Sequence, residues 1–171
     1  MKKLMVVILG AVFGLAFFSQ AALAADKLAY VDLSRLFAEY GKTKDYDKVL
    51  NDKESAYTAE REKKVNELKQ MQDKIDLLSE KEKESKKQEL ETKVKSFQDY
   101  DRQKQTDLRK EQDEKMKEIL KDIEDAVKKY AEKDAISFVF NDRVLVFQDK
   151  AYDITDKVME ILGKSYTPKK Q

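Results

Sequence analysis

The sequence predicts an α+β fold that is mostly α: a long antiparallel helical hairpin projecting from a small β-body shared between subunits. Three observations predict it. From about Lys42 to Ala131 the chain has no proline and no glycine, and sparse apolar residues recur three and four apart among Glu, Lys, Gln and Asp. That is the pattern of long helices with a narrow apolar seam. Strand-like runs occur only near the two ends, in "KLAYV" and in "AISFVFNDRVLVF". The strand-bearing ends amount to roughly 50 residues, a size that usually lacks a sufficient core. The chain has no cysteine to staple them. Several chains sharing one β-rich core is the economical solution, and it also covers the apolar strand edges.

The first 24 residues read as a secretory signal. Lys2 and Lys3 form a positive start, Leu4 to Phe18 an apolar run, and Ala22-Leu23-Ala24 a small-residue cleavage site. The run is shorter than the roughly 20 residues that span a bilayer; the alternative is an uncleaved N-terminal anchor. Cleavage near Ala24 exports the chain. Taking two lysines from the 35 basic residues leaves 33 against 34 acids, a net charge of −1. Nucleic acid is therefore not an expected partner, since phosphate binding needs excess Lys and Arg. With no Cys and no His, thiolate nucleophiles, imidazole bases and the usual zinc sites are excluded. There is no Gly-rich phosphate loop. No enzyme activity, metal or cofactor is expected.

The body is expected to comprise residues 25–41 and 131–164. Lys27 to Val31 is its first strand. Asp32 or Ser34 can cap the helix that Leu33, Leu36 and Phe37 continue, and Gly41 is expected to loosen or bend it. The arm follows over residues 42–130. One continuous helix would be roughly 130 Å long; two antiparallel helices are the other option.

Facing residues of an antiparallel hairpin have numbers of constant sum. At a sum of 165, Ile75 faces Leu90, Met71 faces Val94, Leu68 faces Phe97 and Val65 faces Tyr100. Tyr57 faces Leu108, Val49 faces Met116, Tyr46 faces Ile119 and Ala38 faces Val127. Those eight apolar pairs fall to about five or about three when the register slips by a heptad. The fold-back then lies between Glu82 and Lys83, with a tip near residues 79–86. Ser79 with Glu82 and Ser85 with Gln88 both fit a capping box, and Ser85 is favoured as the start of the returning helix. Between Tyr100 and Met116 only Leu108 is apolar, so the arms are expected to bend and splay there.

After the arm, Ala135 to Phe140 and Arg143 to Phe147 read as a β-hairpin about the turn residues Asn141-Asp142. A final amphipathic helix carries Ile154, Val158, Ile161 and Leu162 on one face. Asp153 can cap it and Gly163 can end it. Residues 165–171 read as a flexible tail.

The signal, "ADKLAYVDLSRLF", the charged hairpin and "SFVFNDRVLVFQDKAYDITDKVMEILGK" together resemble the Skp/OmpH family of periplasmic chaperones over nearly the whole mature chain. The most specific part is the strand pair followed by Asp153-Ile154-Thr155; "AYVD" is the second. The resemblance implies a homotrimer whose three hairpins surround a cavity, where unfolded outer-membrane proteins are held without ATP. Strongly basic members are linked to anionic lipid or lipopolysaccharide. That contact is doubtful here, because Lys81, Lys83, Lys86 and Lys87 at the tip face an equal number of glutamates, Glu80, Glu82, Glu84 and Glu89.

Candidate residues follow from these readings. Leu28, Tyr30, Val31, Phe138, Phe140, Val144, Val146 and Phe147 are assigned to the oligomerisation body. Val49, Val65, Leu68, Met71, Ile75, Leu90, Val94, Phe97, Leu108 and Met116 are assigned to the hairpin seam. Leu50, Tyr57, Leu77 and Tyr100 are client-contact candidates. A structural coiled-coil spacer or docking protein of the cell envelope is the competing reading.

Overall fold

The computed structural model describes residues 26–167. The expected signal lies outside them, as does the end of the tail. The element order is β1 (Leu28–Val31), α1 (Leu33–Glu39), α2 (Gly41–Asp76), α3 (Glu80–Lys133), β2 (Phe138–Asn141) and α4 (Thr155–Ser165), with 3-10 turns at Asp142–Val144 and Lys150–Tyr152. Helices α2 and α3, 36 and 54 residues long, form the antiparallel hairpin.

Local chemistry sets most of the boundaries. Asp32, not Ser34, caps α1, its carboxylate accepting from the Arg35 N–H at 2.8 Å. The break between α1 and α2 falls at Tyr40, whose ψ of 127° is extended. Gly41 opens α2 instead of bending α1. A Cβ there would stand 3.3 Å from the Tyr166 ring, so this glycine admits a close neighbour.

The fold-back occupies Leu77–Ser79, not Glu82–Lys83, and α3 starts at Glu80 instead of after Ser85. Ser79 is the N-cap of α3, its carbonyl accepting from the N–H groups of Glu82 and Lys83. The capping box itself does not form, because the Ser79 hydroxyl donates to the Glu82 carboxylate at 2.5 Å and accepts from no backbone N–H. Glu80 and Glu82 then lie in the first turn, where the helix dipole favours negative charge.

The β-hairpin does not form. β2 pairs in parallel with β1, Leu28 opposite Phe138 and Val31 opposite Asn141, so the whole arm is the crossover between them. After β2, the Asn141 side chain accepts from the Arg143 N–H and the chain turns through a 3-10 turn. The other edge of β1 is already occupied: Ile154 N–H donates to the Tyr30 carbonyl at 3.0 Å, and Tyr30 bridges Asp153. "RVLVF" therefore has no strand partner among the described residues.

The head core lies where α1, α4 and β1 meet the base of α3. Leu36, Val158 and Leu162 are fully buried against Ile119, Ile123 and Ala126, with Ala29, Val31, Tyr40 and Ile154 completing the cluster. Thr155, 1% exposed, ties the two ends of the chain together. Its hydroxyl accepts from the Asp32 N–H at 2.9 Å and donates to the Asp153 carboxylate at 2.6 Å. Asp153 also accepts from the Thr155 N–H at 2.9 Å, but it stands one residue ahead of the N-cap, Ile154, which makes no side-chain capping bond. Gly163 lies inside α4, which runs on to Ser165. Tyr166 is not a loose residue: its ring meets Tyr40 edge-on at 5.7 Å, and its hydroxyl donates to Asp45 at 2.7 Å.

α3 ends in a Schellman-type motif. Ile136 N–H reaches back to the Ala131 carbonyl at 2.9 Å, and Ala135 sits at φ 52°. Left-handed backbone costs an L-residue roughly 1 kcal/mol or more. Ala135→Gly is therefore expected to stabilise the chain by about 1 kcal/mol, read as a raised urea midpoint at unchanged slope.

Candidate functional site

Two features stand apart from the core. The first is the outer surface of the head. β2 alternates, placing Val139 against the core and Phe138 and Phe140 outward, their rings stacked at 6.5 Å. Leu28, opposite Phe138, is exposed as well. Beyond β2, Val144, Val146 and Phe147 are 68%, 107% and 85% exposed, and Tyr152 joins them at 53%. Of the body residues read from the sequence, only Tyr30 and Val31 are buried within the chain. A monomer rarely leaves so many large apolar groups in water on one segment; such a surface marks an interaction site.

The second feature is the arm. Ile75 is its one fully buried seam residue, while Val65, Leu68, Met71, Leu90, Val94, Phe97 and Leu108 are half-buried between the helices. Val49 and Met116, expected to face each other, are instead exposed, at 37% and 45%. Leu50, placed off the seam by the sequence, is half-buried in their stead. The remaining seam residues stay between the helices, so the difference is confined to the head-proximal part of the arm. Tyr57 lines one hollow with Leu108, as the spacing read from the sequence placed it, and its hydroxyl donates to Asp101 at 2.6 Å. The same geometry separates the neighbouring leucines of the turn. Leu77 is 87% exposed, whereas Leu78 is half-buried and lines a groove between the arms. Leu78 was absent from the sequence candidates; its signal was only its place next to the turn.

The mid-arm does not splay. Polar contacts replace the missing apolar seam. Arg61 meets Asp101 at 3.0 Å, Gln105 reaches both Tyr57 and Asp101, and Lys53 meets Glu111 at 2.6 Å. Hydrogen bonds from Tyr57 and then Arg61 hold the Asp101 carboxyl below its ordinary range. The Glu60 carboxylate beside Tyr100 raises that hydroxyl to about 12. Lys64 lies over the Tyr100 ring at 4.7 Å. Tyr57 and Tyr100, both client-contact candidates, are thus half-buried members of a polar bridge.

The tip lysines are largely answered locally. Lys83 pairs with Glu80 and Lys86 with Glu89, each at 2.8 Å. Both carboxyls are lowered, chiefly by those hydrogen bonds. Lys81 and Lys87 project into solvent.

At the base, Lys42 spans Glu118 at 2.6 Å and Asp122 at 2.7 Å, and Tyr40 donates to Asp122 at 3.0 Å. Hydrogen bonds from Lys115 and Lys42 lower the Glu118 carboxyl from 4.5 to about 2. A carboxyl whose pKa falls on folding stabilises the fold above its unfolded value. That contribution fades as pH drops from about 4.5 toward about 2. Glu118→Gln is expected to flatten acid unfolding in this window by about 1 kcal/mol, the discount reflecting the exposure of the pair. Urea midpoints at pH 6 and pH 3 measure it.

The profile of the family described as outer membrane protein (OmpH-like) matches residues 27–162. A comparison with curated proteins finds no significant match. Among solved structures, an OmpH-like protein of Caulobacter crescentus, described as a candidate outer membrane chaperone, superposes with a TM-score of 0.77. It shares 14% identity, over 86% of this chain and 90% of that one. At that identity the likeness shows the fold alone.

Proposed function

The chain belongs to the OmpH-like family, and from that premise we propose that it is a chaperone, acting as an ATP-independent periplasmic holdase for unfolded outer-membrane proteins. The observation that carries the reading is the exposed apolar surface of the head, Phe138, Phe140, Val144, Val146 and Phe147, at the root of a long charged hairpin. A second and third copy cover that surface, and the three hairpins enclose a cavity. The body is shared as a homotrimer.

The arms suit holding. Their apolar groups are half-buried and spread among charges, so each contact with a client segment is weak and the sum is appreciable. A holdase that binds the unfolded state releases its client when the client folds or is captured elsewhere. Balanced charge at the tip gives little reason for lipid contact and predicts only modest salt dependence of client binding.

The chain, added to a denatured β-barrel protein diluted from urea, is expected to suppress light scattering near three chains per client. The suppression should survive moderate salt. Unabated aggregation at excess chaperone would leave the envelope-spacer reading ahead.

A further inference from the structure

Near the tip the two helices of the hairpin do not close fully on one face. A groove of about 720 Å³ opens there. Its floor is apolar: Leu68, Met71, Ile75 and Leu78 from the outgoing side, Phe97 and Tyr100 from the returning helix. Its rim is polar and lysine-rich, with Lys64 also reaching Glu60 at 3.7 Å. Lys64, Lys74, Lys86 and Lys93 stand there with two carboxylates, Glu67 and Glu89. Lys86 and Lys93 share Glu89, at 2.8 and 3.6 Å.

The shape and the rim select the occupant. The groove from Lys64 to Ile75 is about 17 Å long at about 1.5 Å per residue. It matches about five extended residues at about 3.4 Å each, whose alternate side chains all point to one face. An extended segment also brings unpaired backbone carbonyls, which need donors. The lysine ammoniums, with Gln70 and Ser96 on the same lining, supply them. A docked helix has its carbonyls satisfied internally and offers nothing to that rim. The excess of lysine over carboxylate adds a preference for acidic side chains on the outward face.

We infer that this tip groove is a docking site for short extended client segments whose apolar side chains alternate with polar or acidic ones. The inference rests on the holdase reading for the source of those segments. It places primary contact on the face of each hairpin between its own two helices, at Met71 and Phe97, and not at the protruding Leu77.

The test uses the full mature chain and a blocked fluorescent peptide of about seven residues, leucine alternating with glutamate. A matched peptide with lysine in place of glutamate is the control. The glutamate peptide is expected to bind more tightly than the lysine peptide. Met71→Gln should weaken it about tenfold, the loss of one apolar anchor. Lys74→Gln, on the exposed rim, should weaken it about threefold without touching the seam. A photo-crosslinking side chain at position 71 should capture a denatured β-barrel client several-fold more than one at Lys95, which does not line the groove.

Equal capture at 71 and 95, or peptide affinity unchanged by both substitutions, overturns the groove. If aggregation of the barrel is still suppressed in that case, the holdase reading stands and only the groove falls. If the peptide binds as expected but no barrel is held, the groove stands and the holdase reading falls.

Discussion

Replacing Val146 and Phe147 together with glutamate is expected to turn an assembly of three chains into monomers at micromolar concentration. Both side chains are almost wholly in water in the single chain, 107% and 85% exposed. Surface changes of that kind alter the stability of the individual fold by only about 0.5 kcal/mol. In a shared body the same residues are covered. Burying a large apolar side chain is worth about 1.5–3 kcal/mol, and a buried unpaired carboxylate costs several more. The loss recurs at each of the three contacts, which multiplies its effect on assembly. Light scattering of the two proteins measures it, with circular dichroism checking that the helices persist. Wild-type chain that runs as a monomer, or a double variant that stays assembled, refutes the shared body. The same variant also tests the holdase reading, because separate hairpins cannot enclose a client.

Leu36→Ala is expected to destabilise the chain by about 2–5 kcal/mol, the range for a buried leucine that leaves a cavity. Leu36 is 0% exposed and lies in the cluster that joins α1 to the base of α3 and to α4. Few small domains have stability to spare on that scale, and this core is small, so the head should melt ahead of the arm. Thr155→Val removes no volume but leaves the Asp32 N–H without its partner, at a cost of about 1–3 kcal/mol. Chemical denaturation followed by helix content separates the two. A Leu36→Ala variant as stable as wild type would mean that the head is held by contacts between chains alone.

Much of this arrangement was legible from residue order. The absence of proline between Gly41 and Ala131, with apolar residues at helical spacing, required long helices. Asp32 before Leu33 marked the start of α1, and Asp153 before Thr155 prepared that of α4, because a carboxylate two or three residues ahead of a free N–H caps it wherever it lies. The register of the hairpin was harder. Heptad spacing leaves several registers within a few contacts of one another, so the number of residues in the turn decides among them. Each residue added or removed rotates a helix by about 100°. The fold-back at Leu77–Ser79 separates the exposed Leu77 from the half-buried Leu78, while Val65, Leu68, Met71 and Ile75 keep the face read from the sequence.

By itself the sequence determined the long hairpin, the apolar strand segments at its root and the carboxylate caps, all of them consequences of local periodicity and neighbouring side chains. Only the tertiary structure decided that "KLAYV" pairs in parallel with "FVFN" across the entire arm, that Asp153-Ile154 takes the opposite edge of β1, and that Val144, Val146 and Phe147 of "RVLVF" are left exposed. It also placed Ile119, Ile123 and Ala126, residues of the arm by composition, inside the core of the head. The reason is physical. A strand's partner is set by which edges remain open after distant segments have docked, and a helix's core face by what packs on its base; neither is encoded within the span of a single element.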